Sequence, residues 1–464
     1  MEVVLISTLS IVLFVSGAIF QFIQQVQKEP YMDEIFHVPQ AQQYCSFNFT
    51  SWNPMITTLP GLYLSSLILI FPLASFYGGS LSEFCTTQNL RACNIAFCTG
   101  NFILLFLLCR KLNDNNKDKN VTERQVLLNS VVLVLFPVLY FFTWLYYTDP
   151  GATFFTLLMY IFCLYRQHGV AAGAGLIAIV FRQTNVIWVL FCLCQSAIKV
   201  LDKEMQLHSK VNLQTLEDYE YFKAILSILN PSSIVRLAKN LLMTSHWYFY
   251  VIFGFIGFII INKGIVVGDR SHHQASYNFP QVFYFLFITC SLSFFHFIHL
   301  SQINRFLHAA KNNPFRVLLF IGLSALLIKF FTYEHKYLLS DNRHYPFYVW
   351  SKFYKRLHIV RYIMIPVYMY CLYQIYKMTV HRGLLWRLTV SLCIVMCLVP
   401  QALLEFRYYI IPFYIIRVNM KMPSIRVLSA ELLFYVCINA FTILMFVYRP
   451  FYWPDDPKPQ RFMW

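Results

Sequence analysis

Charge is what this chain has least of. Only 12% of its 464 residues are Asp, Glu, Lys or Arg, about half the share of a soluble globular protein. Together with 58% apolar residues and a mean hydropathy of +0.54, that shortage excludes a soluble domain, a disordered chain and a coiled coil. Several chemistries lack their motifs as well. There is no P-loop, no glycine-rich dinucleotide fingerprint and no HExxH zinc helix, nor the inverted repeat of many transporters. The 13 Cys are odd in number, and most sit inside apolar stretches, where they behave as small hydrophobes. A disulfide-stapled secreted module is therefore excluded, and Cys45 with Cys85 is the one plausible loop pair.

What the chain has in excess is aromatic and aliphatic surface. Its 46 Phe and 31 Tyr exceed what one soluble core can hide, so the expected class is an all-α polytopic membrane protein forming one domain over 1–464. A bilayer core of about 30 Å needs roughly 20 apolar residues per helix. Such stretches fall at 3–23, 58–77, 93–109, 126–146, 154–165, 169–200, 246–261, 282–300, 317–331, 362–376, 388–404 and 432–447, about twelve in all. The first lacks a basic leader and exceeds a normal signal-peptide core, so it reads as a retained span.

Lys and Arg set the direction. The 201–243 segment carries Lys203, Lys210, Lys223 and Arg236 and reads as the main cytosolic loop. Arg305, Lys311 and Arg316 mark a second cytosolic turn, and Lys377, Arg382 and Arg387 a third. The 24–57 loop has only Lys28, so it faces the opposite side, where Asn48-Phe49-Thr50 is a candidate glycosylation acceptor. Arg110, Lys111, Lys117, Lys119 and Arg124 also look cytosolic, yet simple alternation puts them across the membrane. Two half-helices broken at Arg182-Gln183-Thr184-Asn185 would change that count. The net charge of +16 thus reflects orientation rather than nucleic-acid binding, which is not expected. The 334–361 loop is the exception: it belongs to the non-cytosolic side, yet carries Lys336, Arg343, Lys352, Lys355, Arg356 and Arg361. Binding an anionic headgroup such as a phosphate explains it, and interfacial snorkelling is the plainer alternative.

Polar groups beside the spans carry the chemistry. Tyr31-Met32-Asp33-Glu34-Ile35-Phe36-His37 follows the first span. Adjacent carboxylates repel, which raises one pKa and suits a general base; Asp33 as a helix N-cap is the competing reading. Further clusters are Val267-Gly268-Asp269-Arg270-Ser271-His272-His273, Tyr333 to Tyr345 with Asp341, Arg343 and His344, and Leu404-Glu405-Phe406-Arg407-Tyr408. Tyr147-Thr148-Asp149-Pro150 and Phe181-Arg182-Gln183 complete the set. His272 and His273 are adjacent and face apart on a helix, so no metal site is expected. Arg, His, Asn and Tyr on one face suit a sugar phosphate: guanidinium grips phosphate, and amides and imidazoles read hydroxyls.

These segments resemble the dolichyl-phosphate-glucose-dependent α-1,2-glucosyltransferases of the endoplasmic reticulum. The likeness rests on Tyr31 to His37 with Pro39-Gln40-Ala41-Gln42, and on Asn53 to Tyr63. It continues through Phe181 to Asn185, Gly264 to His272, Lys336 to Tyr345, Leu404 to Tyr408 and Gln460-Arg461-Phe462-Met463-Trp464. Ser340 departs from an expected Ala, and 111–120 shows no kinship.

The resemblance implies a glycosyltransferase-C fold with a luminal active site in the endoplasmic reticulum membrane. The donor would be dolichyl phosphate β-glucose, and the acceptor the diglucosylated dolichyl-pyrophosphate-linked oligosaccharide. Transfer would invert the anomeric centre, with no cofactor and no metal. Asp33 is then the expected base and Glu34 the runner-up. By their chemistry Arg343, His344 and Lys336 are candidates for the donor phosphate. His37, Asp269, His272, Asp341, Glu405 and Arg407 are candidates for sugar binding or for bracing the loops. A helix-end salt bridge serves equally for Glu405 and Arg407. Two further readings are a membrane regulator of an ion channel, and a transporter, which would need polar residues at mid-bilayer.

Overall fold

The structure, a computed structural model, describes residues 2–116, 121–209, 217–228, 230–271 and 275–464. It is overwhelmingly helical, as hydrocarbon requires, because a helix satisfies its own backbone hydrogen bonds. Among the described residues six helices are long and apolar enough to cross a membrane: Glu2–Val26, Thr87–Asp114, Gln183–Gln206, Pro231–Asn262, Pro314–Phe331 and Ile425–Tyr448. Shorter apolar helices such as Asp149–Leu164, His168–Phe181, Pro280–Leu292 and Leu384–Leu398 pack among them. Large apolar side chains remain exposed on the outside, Phe14, Ile260, Ile261 and Phe315 among them. Lipid tolerates such a surface and water does not. The expected class, an all-α multi-pass membrane protein, is what is found.

One expected span is shorter than the full thickness of a bilayer core. The 58–77 stretch forms the helix Gly61–Tyr77, about 25 Å long at 1.5 Å per residue. Its first residue abuts the backbone of Val180 and Phe181, where any Cβ would collide. After it the chain makes only the short helix Leu81–Phe84 before Cys85, which is disulfide-bonded to Cys45. Cys45 in turn ends the helix Glu34–Cys45, whose Tyr44 packs on Tyr63. Eight residues containing a helical turn span no more than about 20 Å, so the end of the helix stays within that reach of the Cys45–Cys85 link. Thr87–Asn116 then begins beside that link, with Arg91 on Glu34, and carries Arg110 to the far end, beside Glu123. Arg110 and Glu123 thus lie at the end of that helix opposite Glu34.

The 169–200 stretch divides where expected, but into a hairpin rather than two half-helices. Arg182 leaves the helix His168–Phe181 in an extended conformation, and one 3-10 turn, Gln183–Asn185, starts the next helix, Val186–Ser209. Gly175 faces Val189 across that turn. The described residues of the 201–243 segment are likewise largely helical, with Asp218–Ile228 and the start of Pro231–Asn262. Small strands appear as well: Phe451–Trp453 pairs antiparallel with Asp456–Gln460, and Met463 bridges to His344.

Charge is also buried deep among the helices. Arg417, Glu431 and His296 form a closed cluster, with Arg417 Nη2 2.5 Å and His296 Nε2 2.7 Å from Glu431 Oε2. A carboxylate and a guanidinium this deep require each other's charge.

Candidate active site

The site starts from a strained residue. Met32 has φ +55°, a left-handed conformation that costs a side-chain-bearing residue energy and tends to mark functional positions. It turns the chain sharply between the first helix and the helix Glu34–Cys45. Asp33 and Glu34 therefore leave the turn in different directions.

Glu34 is completely buried. Its Oε1 accepts from Arg91 Nε at 2.8 Å and from the Tyr146 amide at 2.5 Å. Its Oε2 accepts from Arg91 Nη2 at 2.6 Å and from the Tyr31 amide at 2.9 Å. Arg91 spends its remaining N–H groups on Gln24 Oε1 and on the carbonyls of Gln27 and Glu29. Glu34 is thus a brace between the first loop and the next helix. As runner-up for the base it is corrected, because both carboxylate oxygens are occupied and water cannot reach them.

Asp33 stands at the N-cap position but makes no side-chain cap hydrogen bond, so the capping alternative is not what its carboxylate does. Oδ2 lies 3.2 Å from Arg407 Nη1, and the side chain keeps 42% exposure into a large groove. Burial pushes this carboxyl up, but Arg407, with help from His37 and His344, holds it below the ordinary value. Asp33 is therefore ionised at neutral pH. His37, one turn on, is driven down to about 4 by burial, against the pull of Asp33, so it is neutral. Its Nδ1 pairs with the Tyr63 hydroxyl at 2.6 Å.

Arg407 is the hub. Besides Asp33 it reaches Glu405, lies 3.7 Å from Asp149 Oδ2, and stacks over Phe142 and Tyr147. Asp149 is held from the other side by Arg182 Nη2 at 3.1 Å, and Arg182 Nε donates to Thr148 Oγ1. The Glu405–Arg407 pair is accordingly more than a helix-end bridge. Asp149 and Arg182 had no role assigned from sequence; their signal was two polar runs next to apolar ones.

The groove has a volume of about 1020 Å³. Its mouth carries Asp33, His37, Arg182, Asp269, Asp341, Arg343, His344, Glu405 and Arg407. Below, the walls turn apolar, with Ile187 and Leu190 on one long helix and Ile252, Phe255, Ile256 and Ile259 on another. A polar headgroup above an apolar track is the shape that an amphiphile fills.

Of the phosphate candidates, Arg343 and His344 line the mouth, whereas Lys336 is exposed and lies outside the lining. The physical reason is a short helix, Lys336–Ser340, which turns Leu338 inward and Lys336 outward. Arg343 grips Asp341 with Nε at 2.9 Å and Nη2 at 2.8 Å, and lies over Trp453. Asp341 sits below the ordinary carboxylate value: burial raises it and Arg343 and His344 more than offset that. Asp269 donates its amide to Pro54 O at 2.7 Å, tying its loop to the 53–57 turn. Gly268 (φ +66°) permits that approach, since a Cβ would run into the Pro54 and Ile56 carbonyls. His272 lies outside the described residues.

The last residues complete the mouth. The Tyr31 hydroxyl donates to Arg461 O at 2.7 Å and accepts from Arg461 N at 2.8 Å. His344 Nδ1 is 2.8 Å from Trp464 O, and the Trp464 ring packs on Phe406 and Tyr345. This strap joins the Asp33 turn, the 341–345 loop and the 405–407 turn. Among the described residues no group of three or more His, Cys, Asp or Glu is placed to hold a metal.

Comparison with protein families gives one decisive match: the DIE2/ALG10 family model covers residues 27–418. The chain belongs to that family. A human relative is 40% identical over 472 residues, covering 99% of this chain and 98% of its own length. Relatives from Arabidopsis thaliana, 34% identical with 95% and 96% covered, and Drosophila melanogaster, 30% identical with 93% of each covered, agree. All three are named Dol-P-Glc:Glc(2)Man(9)GlcNAc(2)-PP-Dol alpha-1,2-glucosyltransferase. No solved structure matches the chain.

Proposed function

We propose that this protein transfers glucose from dolichyl phosphate β-glucose to the diglucosylated dolichyl-pyrophosphate-linked oligosaccharide, forming a terminal α-1,2 linkage. The family and the relatives' names support the reaction. The observation that carries the site is the uncapped, ionised Asp33 at the head of a groove that turns apolar below.

In this reading the donor's isoprenoid lies between Val186–Ser209 and Pro231–Asn262, and its phosphate meets His344, Arg343 and Arg182. The acceptor hydroxyl oxygen attacks the glucose anomeric carbon from the face opposite the phosphate. The carbon–oxygen bond to phosphate breaks, its electrons leave on the phosphate oxygen, and the hydroxyl proton passes to Asp33. One displacement turns β into α. Fixed cations stabilise the leaving phosphate, so no divalent metal is assigned a part.

The site end is read as luminal. Arg110, Arg124, Arg316, Lys377 and Arg382 belong to the opposite ends of their helices, and Arg305 and Lys311 to the short helix Leu300–Asn312 that leads into Pro314–Phe331; the positive-inside rule puts these in the cytosol. The fold is accordingly read as the glycosyltransferase-C type in the endoplasmic reticulum membrane, with more crossings than the six long helices alone. The relatives' names describe the transfer and nothing else, so the channel reading gains no support.

Transfer from synthetic dolichyl phosphate glucose to a diglucosylated lipid acceptor, in purified wild type and Asp33→Asn, tests the reaction and the base together. Activity retained in Asp33→Asn overturns the assignment of the base. A parallel run with chelator is expected to proceed unchanged.

A further inference from the structure

We propose that Asn48 carries an N-linked glycan. This modification requires the luminal placement of the 24–57 loop proposed above, and it adds a covalent feature that the transfer reaction does not call for.

Four observations support it. Asn48-Phe49-Thr50 is an acceptor triplet, and all three residues are exposed. It lies at a turn just past the helix Glu34–Cys45, where Phe47 adopts φ +58° and the chain reverses. Among the described residues the carboxamide Nδ2 makes one hydrogen bond, to Gln43 Oε1 at 2.9 Å, and Gln43 is itself on the surface, so a side-chain rotation frees the nitrogen. Thr50 Oγ1 donates to Asn48 Oδ1 at 3.0 Å, so the hydroxyl that a transferase reads lies beside the amide it modifies.

The neighbouring chemistry points to the same compartment. Cys45, three residues before Asn48, is disulfide-bonded to Cys85, and such bonds persist on the oxidising side of the membrane. The chain's other triplet, Asn120-Val121-Thr122, belongs to the basic stretch read as cytosolic. Phe47 and Phe49, 67% and 50% exposed, flank Asn48. An exposed aromatic pair of this kind calls for a cover, and the apolar face of a first sugar supplies one.

The covalent step balances without any group from this protein's own active site. Asn48 Nδ2 attacks the anomeric carbon of a lipid-pyrophosphate-linked oligosaccharide held by a separate oligosaccharyltransferase. The N–C bond forms, the bond from that carbon to the pyrophosphate oxygen breaks, and the lipid pyrophosphate leaves. One amide proton passes to a base of the transferase.

The experiment uses the full-length protein made in eukaryotic cells. Wild type and Asn48→Gln are treated with a peptide amidase that removes N-glycans, and their gel mobilities are compared. The expected result is a shift in wild type that is absent from Asn48→Gln. A shift persisting in Asn48→Gln places the glycan elsewhere and overturns the assignment. Ser51→Cys, which leaves the triplet intact, is labelled in sealed microsomes with a membrane-impermeant maleimide. Labelling only after permeabilisation, with no glycan found, overturns the proposal alone and means that the two rings seat the turn in the bilayer interface. Labelling in intact vesicles overturns both the glycan and the luminal placement.

Discussion

Arg407 Nη1 lies 3.2 Å from Asp33 Oδ2, although 374 positions separate the two residues in the chain. The same guanidinium faces Glu405 and Asp149. One cation thus sets where the proposed base points and keeps it charged, against a burial that would otherwise favour its neutral form.

The two adjacent acids should fail in different ways. Asp33→Asn should give normal yields of folded protein and a rate lower by roughly 10²- to 10⁴-fold, the worth of a general base. Glu34→Gln leaves the Arg91 charge buried without its partner, which costs about 3–5 kcal/mol. It should appear as a loss of folded protein. Thermal unfolding in detergent, set beside single-turnover rates, separates the two effects.

The pH profile should report Arg407. A base works ionised, so activity is present above its pKa and lost as pH falls through it. With Asp33 held below the ordinary carboxylate value, wild type should show no acid limb from this group near neutral pH. In Arg407→Gln burial is no longer opposed by that charge, and the acid limb should move upward. A profile of kcat/KM identical in the two proteins would separate Arg407 from the base.

The strap should be felt through the turn it holds. Tyr31→Phe strands the Arg461 N–H and C=O that share the hydroxyl, at about 1–3 kcal/mol for each buried group. The expected phenotype is a fall in kcat larger than any rise in KM, because the Asp33 turn loosens while the groove walls stay. Trp464→Phe, which keeps a ring against Phe406, should lose less than Trp464→Ala. Steady-state kinetics with both substrates varied decides this.

Removing the disulfide should loosen the first loop. Closing 40 residues between Cys45 and Cys85 is worth about 4 kcal/mol in the chain-entropy account. Cys45→Ser should lower the unfolding temperature, and reductant should reproduce that in wild type while leaving the mutant unchanged.

Much of this was legible in the sequence, because acids and arginines are scarce enough beside lipid that each cluster stands out. Asp33, Asp341, Arg343, His344 and Arg407 were found that way, and they share one groove. Four things were not legible. Glu34 could not be told from Asp33, since its partner Arg91 sits on another helix 57 positions away. Gly61–Tyr77 has the hydropathy of a span, and its shortness shows only once Gly61 is seen to open the helix against Val180 and Phe181. Lys336 reads like its basic neighbours, and its exposure depends on a five-residue helix with no sequence signature of its own. The ladder from Arg182 through Asp149 to Arg407 needed three distant segments brought together.

Arg91 deserves a geneticist's notice. Five N–H vectors leave its guanidinium, and five acceptors receive them: two oxygens of Glu34, the Gln24 amide and two main-chain carbonyls. Lysine offers three donors from a single nitrogen, so a missense change to lysine would abandon at least two acceptors in a dry interior. Scales that rank substitutions by likeness of charge would pass that allele as mild, whereas the geometry classes it with the severe ones.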